Sequence, residues 1–247
     1  PDFNGDYPVV AMGDEMLVTG EGQLKGFMTV AGNPVLSTPN GEKLDKAFAN
    51  LDFMVAIDYF VTETSRHANI ILPPVSPLER DHYDATFNNF AVHNVAKYSP
   101  ALFAKKKSAK HDWEIYLELA KRLDKKAPLT TKIERRLVKT LGPKFLLDQG
   151  LRRGPYAGMN LNKLKKKPHG LDLGTLKRML PQAIKHKDKQ IHLNIDFYQA
   201  DLARVQTMMQ DYDDKQILLI GRRHVRSNNS WLHNSYRLVK GKPRCTL

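Results

Sequence analysis

Short apolar runs alternate with polar turns through the first hundred residues, and their spacing sets the fold expectation. Residues 26–31 (GFMTVA) predict a strand, ended by Gly32, Asn33 and Pro34. Residues 44–50 predict a helix. Residues 53–57 (FMVAI) follow as a buried strand stopped by Asp58. A short helical or turn segment over 62–67 leads into a third strand at 69–72 (NIIL), halted by Pro73 and Pro74. Continuously apolar strands separated by helical stretches are the pattern of a parallel sheet in an α/β fold.

The clearest helix lies at 110–126, where Trp113, Tyr116, Leu117, Ala120 and Leu123 recur at helical spacing. Asp112 is its expected cap, its basic end suits the helix dipole, and Pro128 stops it. A second helix is expected over 129–149, interrupted near Gly142 and Pro143. Residues 150–190 are rich in Gly, Pro and Lys and predict loops, with one short helix over 175–180 capped by Asp172 or Thr175. A helix at 197–210, a polar linker at 211–215 and a strand at 216–220 complete the pattern. Three regions result: an α/β portion with its closing helix (1–127), a helical and loop-rich linker region (128–214), and a strand-led segment (215–247).

Composition narrows the function classes. The hydrophobic fraction of 41% supports a buried core. No apolar run approaches the roughly 20 residues of a membrane helix, and no signal-peptide pattern opens the chain. The first residue is Pro1 and not Met, so we expect a processed product or a fragment. Cys245 is the only cysteine, which excludes an intrachain disulfide and a cysteine-ligated iron–sulfur cluster within these residues. The reducing cytoplasm is the expected compartment. A net charge of +13 favours polyanionic partners: nucleic acid, anionic lipid or phosphate-bearing cofactors. The excess concentrates in Lys105-Lys106-Lys107, at 121–126 and at 163–167, and solvated surface also explains such runs.

Three constellations could carry chemistry. Gly32-Asn33-Pro34 and Asp58-Tyr59-Phe60-Val61-Thr62-Glu63-Thr64 both follow expected strands, so a parallel sheet brings them to one carboxyl edge, where α/β folds bind ligands. There Asp58 could accept hydrogen bonds from a ribose or a guanine edge, and Thr62 and Thr64 could donate to phosphate; a turn with helix caps uses the same residues. The run Glu79-Arg80-Asp81-His82-Tyr83-Asp84 is acidic, but its candidate ligands lie too close together for a metal set. The third, residues 221–234 (GRRHVRSNNSWLHN), is dense in phosphate- and amide-matching side chains. A polar loop anchored by Trp231, or a nucleic-acid loop, would look alike.

In order and spacing, Gly32-Asn33-Pro34, the run DYFVTETSRHANIILPP at 58–74, Glu79 with its polar followers and the 221–234 run resemble the molybdopterin oxidoreductases of the dimethyl sulfoxide reductase superfamily, which includes formate dehydrogenases and nitrate reductases. KPHGLDLGTL at 167–176 resembles a linker of a bacterial subgroup of that family. The resemblance implies an oxidoreductase that uses bis-molybdopterin guanine dinucleotide carrying molybdenum, with tungsten also open. Residues 1–127 then belong to a dinucleotide-binding α/β domain, and 215–247 open a C-terminal β-barrel domain. It implies nucleotide contacts at Asn33, Asp58, Thr62 and Thr64, and pterin or phosphate contacts at Arg222, Arg223, Ser227, Asn228, Asn229 and His233. Iron–sulfur cysteines and the metal ligand would lie upstream, so these residues alone are expected to be inactive. The family does not fix the small-molecule substrate or electron carrier. Two other readings stand beside it: a basic nucleic-acid-binding protein, and a nonredox α/β scaffold for partner binding.

Overall fold

The computed structural model describes residues 5–213, 215–221 and 235–239. Its amino-terminal part is built on three parallel strands, β1 (Gly26–Val30), β2 (Phe53–Ile57) and β3 (Ile70–Ile71), in that spatial order. Register runs from Gly26 beside Phe53 to Val30 beside Ile57, and Val55 lies beside Ile70. The expected third strand is cut to two residues, because Pro73 and Pro74 have no N–H to extend a ladder. Three helices accompany the sheet: α1 (Met12–Leu17), α2 (Pro34–Ser37) and α3 (Gly41–Ala49). Pro34 starts α2 at a position where its missing N–H is no loss.

Alternation along the strands gives the sheet two unlike faces. Phe27 and Met54 turn toward α1 and α3, where Met16, Leu44, Ala47, Phe48 and Met54 form the first core. Leu44, Ala47 and Phe48 lie on one stripe of α3, and the Phe48 ring meets Phe27 edge-on at 5.2 Å between centroids. Burying a side chain of that kind contributes about 1.5–3 kcal/mol. An ion pair of Lys43 with Asp14 ties α3 to α1. The opposite face carries Met28, Val30, Phe53 and Ile70, each 43–49% exposed.

A second core follows. β4 (His82–Tyr83) pairs antiparallel with β6 (Tyr98–Ser99), and β5 (His93–Ala96) pairs antiparallel with a distant strand, β7 (Leu171–Thr175). Ala96 and Tyr98 pack with Met159, Leu161 and Leu164. Two long helices intervene, α4 (Asp112–Leu123) and α5 (Leu129–Arg153), followed by α6 (Leu161–Lys165). The expected interruption of α5 is real: Gly142 sits at φ 70, ψ 173, between two helical stretches. The helix expected at 197–210 is α7 (Asp196–Gln210), and a short turn of helix, α8 (Tyr236–Val239), closes the described residues.

Several expectations need correction. His111, not Asp112, is the N-cap of α4; Glu114 accepts from the His111 N–H at 2.7 Å, and Asp112 instead pairs with Arg80 at 2.6 Å. No helix forms over 175–180. Asp172 does not cap a helix; its Oδ1 accepts from the Gly174 N–H at 2.8 Å inside β7. Within the 167–176 segment, Leu171–Thr175 is thus a strand of a sheet. Residues 216–220 are not a strand: Ile217, Leu218, Leu219 and Ile220 are 63–96% exposed. An apolar run needs a ladder partner to be a strand, and none of the described residues supplies one. The expected opening of a barrel is therefore not seen there. Among the described residues no helix is long and apolar enough to cross a membrane.

Candidate functional site at the carboxyl edge of the parallel sheet

Because β1, β2 and β3 run parallel, the turns after all three leave the sheet on one edge. Ala31, the first residue past β1, has φ 48, an uncommon left-handed conformation for a residue with a side chain, and its N–H still donates to the Ile57 carbonyl at 2.9 Å. The chain then turns sharply through Gly32 into Asn33. Departures of this kind cost roughly 1–3 kcal/mol and persist where surrounding bonds hold them.

Those bonds come from the turn after β2. Asn33, 8% exposed, donates from Nδ2 to Glu63 Oε2 at 2.8 Å. Its Oδ1 accepts from both the Thr64 N–H at 3.2 Å and the Thr64 hydroxyl at 2.8 Å. Thr64 is fully buried, and its Oγ1 in turn accepts from the Val35 N–H at 3.1 Å. The two turns are thus locked into one rigid edge. Asn33 and Thr64, expected to reach a ligand directly, bond to each other, and the Thr64 hydroxyl, which donates to Asn33 and accepts from the Val35 N–H, fixes the backbone of the edge.

Thr62 is half-buried and engaged similarly. Its N–H donates to Ser65 Oγ at 2.7 Å, and its hydroxyl oxygen accepts from the Ser65 N–H at 3.1 Å. Ser65 Oγ passes its own proton to the Phe60 carbonyl at 3.1 Å. Asp58 is the candidate with capacity left. One carboxylate oxygen accepts from the Tyr59 N–H at 2.6 Å, and among the described residues the other has no hydrogen-bond partner. Tyr59 anchors the turn from below by donating to the Val75 carbonyl at 3.0 Å. Burial raises its phenol above the ordinary value, so it remains the donor there. Phe60 and Val61, 74% and 71% exposed, stand in the same turn. Arg222, Arg223, Ser227, Asn228, Asn229 and His233 lie outside the described residues.

The edge is buttressed behind the 58–64 turn. Asp45 of α3 takes Arg66 at 2.5 Å and His67 at 2.6 Å, and these two hold its carboxyl below the ordinary carboxylate range, Arg66 foremost. The acidic run at 79–84 is structural throughout. Glu79 closes a capping box with Ser76, Asp81 pairs with Lys144 at 2.6 Å, and Asp84 accepts from the Thr86 and Phe87 N–H groups. Among the described residues no three His, Cys, Asp or Glu side chains are grouped to hold a metal. Sequence reasoning missed Glu63, Ser65 and the Val35 N–H as the partners of the site residues. The Thr-Glu-Thr-Ser run was the available signal, since such residues compete for turn backbone.

Fold and edge together define an open parallel α/β unit whose turns after β1 and β2 meet on one edge. Residues 9–122 match the family model for molybdopterin oxidoreductase. Over 109 residues the chain is 38% identical to the assimilatory nitrate reductase catalytic subunit of Bacillus subtilis (strain 168), covering 42% of this chain and 14% of that protein. Over 101 residues it is 31% identical to a dimethyl sulfoxide/trimethylamine N-oxide reductase of Cereibacter sphaeroides, covering 40% of this chain and 12% of that one. The structure superposes on the acetylene hydratase from Pelobacter acetylenicus with a TM-score of 0.59 at 17% identity, over 93% of this chain and 31% of that one. The chain therefore spans a minor part of the length of each of these proteins.

Proposed function

We propose that these residues are part of a molybdenum-cofactor oxidoreductase and that the turns after β1 and β2 hold the guanine end of a molybdopterin guanine dinucleotide. The family match over 9–122 is the observation that carries this reading. The site chemistry fits it at Asp58, whose second carboxylate oxygen, without a hydrogen-bond partner among the described residues, suits the N1–H and N2–H of a guanine. Exposed Phe60 and Val61 in the same turn offer apolar surface for a ring. Asn33, Thr62 and Thr64 are positioning residues in this reading: they fix the backbone from which Asp58 projects. When bound, the cofactor supplies electron-pair transfer with the substrate, and the protein's part is to bind and orient it. The domain boundaries near 127 and 214, the bis-dinucleotide form and an iron–sulfur cluster upstream belong to the same proposal.

The test is elemental and nucleotide analysis of the complete native gene product. Near-stoichiometric molybdenum, or tungsten, and a guanine nucleotide released on denaturation are expected. Protein from a cell able to make the cofactor, yet holding neither metal, would refute the reading. In the complete enzyme Asp58→Ala should lower cofactor content severalfold while leaving the melting temperature near wild type; unchanged cofactor content would remove Asp58 from the site.

A further inference from the structure

The Lys121–Lys126 charge run has a counterpart across space. α4 and α5 face each other over a cleft of about 590 Å³, lined by six cationic side chains and two acidic ones. Both acids are already satisfied. Glu118 is held by Arg122 at 2.6 Å and Lys139 at 2.8 Å, and Asp124 by Arg135 at 2.9 Å. That leaves Lys121, Lys125, Lys132 and Arg136 lining the cleft with no ion-pair partner among the described residues.

Solvated surface accounts for cations at the end of α4, where they complement the helix dipole. It accounts less well for α5. Its first turn holds no acidic residue, yet Lys132 stands close to that positive end. Lys132 and Arg136 are a like-charge pair one helical turn apart, an arrangement that weakens a helix unless something neutralises it. Two helices thus converge unpaired positive charge on one concavity, of the size that holds small ligands.

We propose that this cleft binds a compact polyphosphate anion. Lysine serves as a point-charge phosphate binder and arginine as a bidentate one. No aromatic side chain lines the cleft. Single-stranded nucleic acid is held by aromatic stacking along an extended groove, so the lining favours a phosphate cluster over a polynucleotide. The second wall lies beyond residue 122, outside the segment that matches the family, and the inference does not depend on the proposed cofactor site.

The experiment is calorimetric titration of the 247-residue chain with inorganic tripolyphosphate at low and moderate salt. One saturable site is expected, weakening as salt rises. Lys132→Ala and Arg136→Ala should each lower affinity about tenfold, as loss of a charge-assisted hydrogen bond does. Both positions are exposed, and circular dichroism should report an unchanged fold. Lys166→Ala, in the separate basic run at 163–167, should leave affinity unchanged. Adenosine triphosphate should bind no tighter than tripolyphosphate, since nothing in the cleft stacks a base. Three results would overturn the proposal: no saturable heat, equal loss in Lys166→Ala, or tighter binding of a single-stranded oligonucleotide than of either phosphate.

Discussion

Replacing Thr64 by valine removes one hydroxyl from the lock between the turns after β1 and β2 and keeps the side chain's volume. That hydroxyl donates to Asn33 Oδ1 at 2.8 Å and accepts from the Val35 N–H at 3.1 Å, in a site with no exposure. Each net hydrogen bond contributes about 1 kcal/mol, and a valine methyl would also leave the Val35 N–H without its acceptor, so the expected loss is about 2–3 kcal/mol. At about 1.4 kcal/mol per tenfold, that opens the edge at least about thirtyfold more often. The assay is amide hydrogen exchange on a peptide covering 31–38, read beside a denaturant midpoint. Exchange should quicken there with little change in the α4–α5 region. Thr64→Ser, which keeps the hydroxyl, should restore most of the protection. If Thr64→Val exchanges like wild type, the bonds do not couple the turns, and the positioning role assigned to Asn33 and Thr64 fails with them.

Other outcomes follow from single features. A Cβ at Gly41 would overlap the Val35 carbonyl oxygen, a backbone atom that cannot swing aside; Gly41→Ala should therefore destabilise the first core by more than about 2 kcal/mol, in the range of overpacked sites, and chemical denaturation will show it. Gly142→Ala meets no neighbour but must adopt φ 70, ψ 173, so a loss of about 1–3 kcal/mol is expected from backbone strain alone. Lys139 first, and Arg122 after it, push the Glu118 carboxyl down to about 2. This folded value lies below the unfolded one, so its contribution is present above the ordinary glutamate range near pH 4.3 and is lost as pH falls toward about 2. A proton-detected titration of Glu118 in Lys139→Ala should show its midpoint rising, and an unmoved midpoint would dissolve the assigned cause.

The parts of the fold legible in the sequence were those fixed by local pattern. β2 ends just before Asp58 and β1 at Val30, one residue short of the expected end, α5 breaks at Gly142, and α3 buries the stripe of Leu44, Ala47 and Phe48. Pairings that depend on distant partners were not legible. β5 finds β7 some eighty residues on, through an irregular register between His93 and Val95, and no periodicity at 171–175 announces it. The strand expected at 216–220 fails for the same reason in reverse, since an apolar run does not state whether a neighbour exists. At the site, strand order brought Asn33 and the 58–64 turn together as expected. Which way each hydroxyl points was not legible, because a threonine that caps, locks or donates to a ligand has the same place in the pattern. Only the geometry separates Thr64, sealed within the edge, from Asp58, which keeps an acceptor to spare.

The two sides of the parallel sheet lead to a thermodynamic asymmetry. Met28, Val30, Phe53 and Ile70 make an apolar surface that stays half open, whereas parallel sheets are normally covered on both faces. A layer that came to lie on it would register as a negative heat-capacity change with little response to salt. Ligand capture in the α4–α5 cleft would do the opposite, strongly screened by salt and nearly silent in heat capacity. Association at the two surfaces would thus respond to different variables, temperature at the sheet face and ionic strength at the cleft.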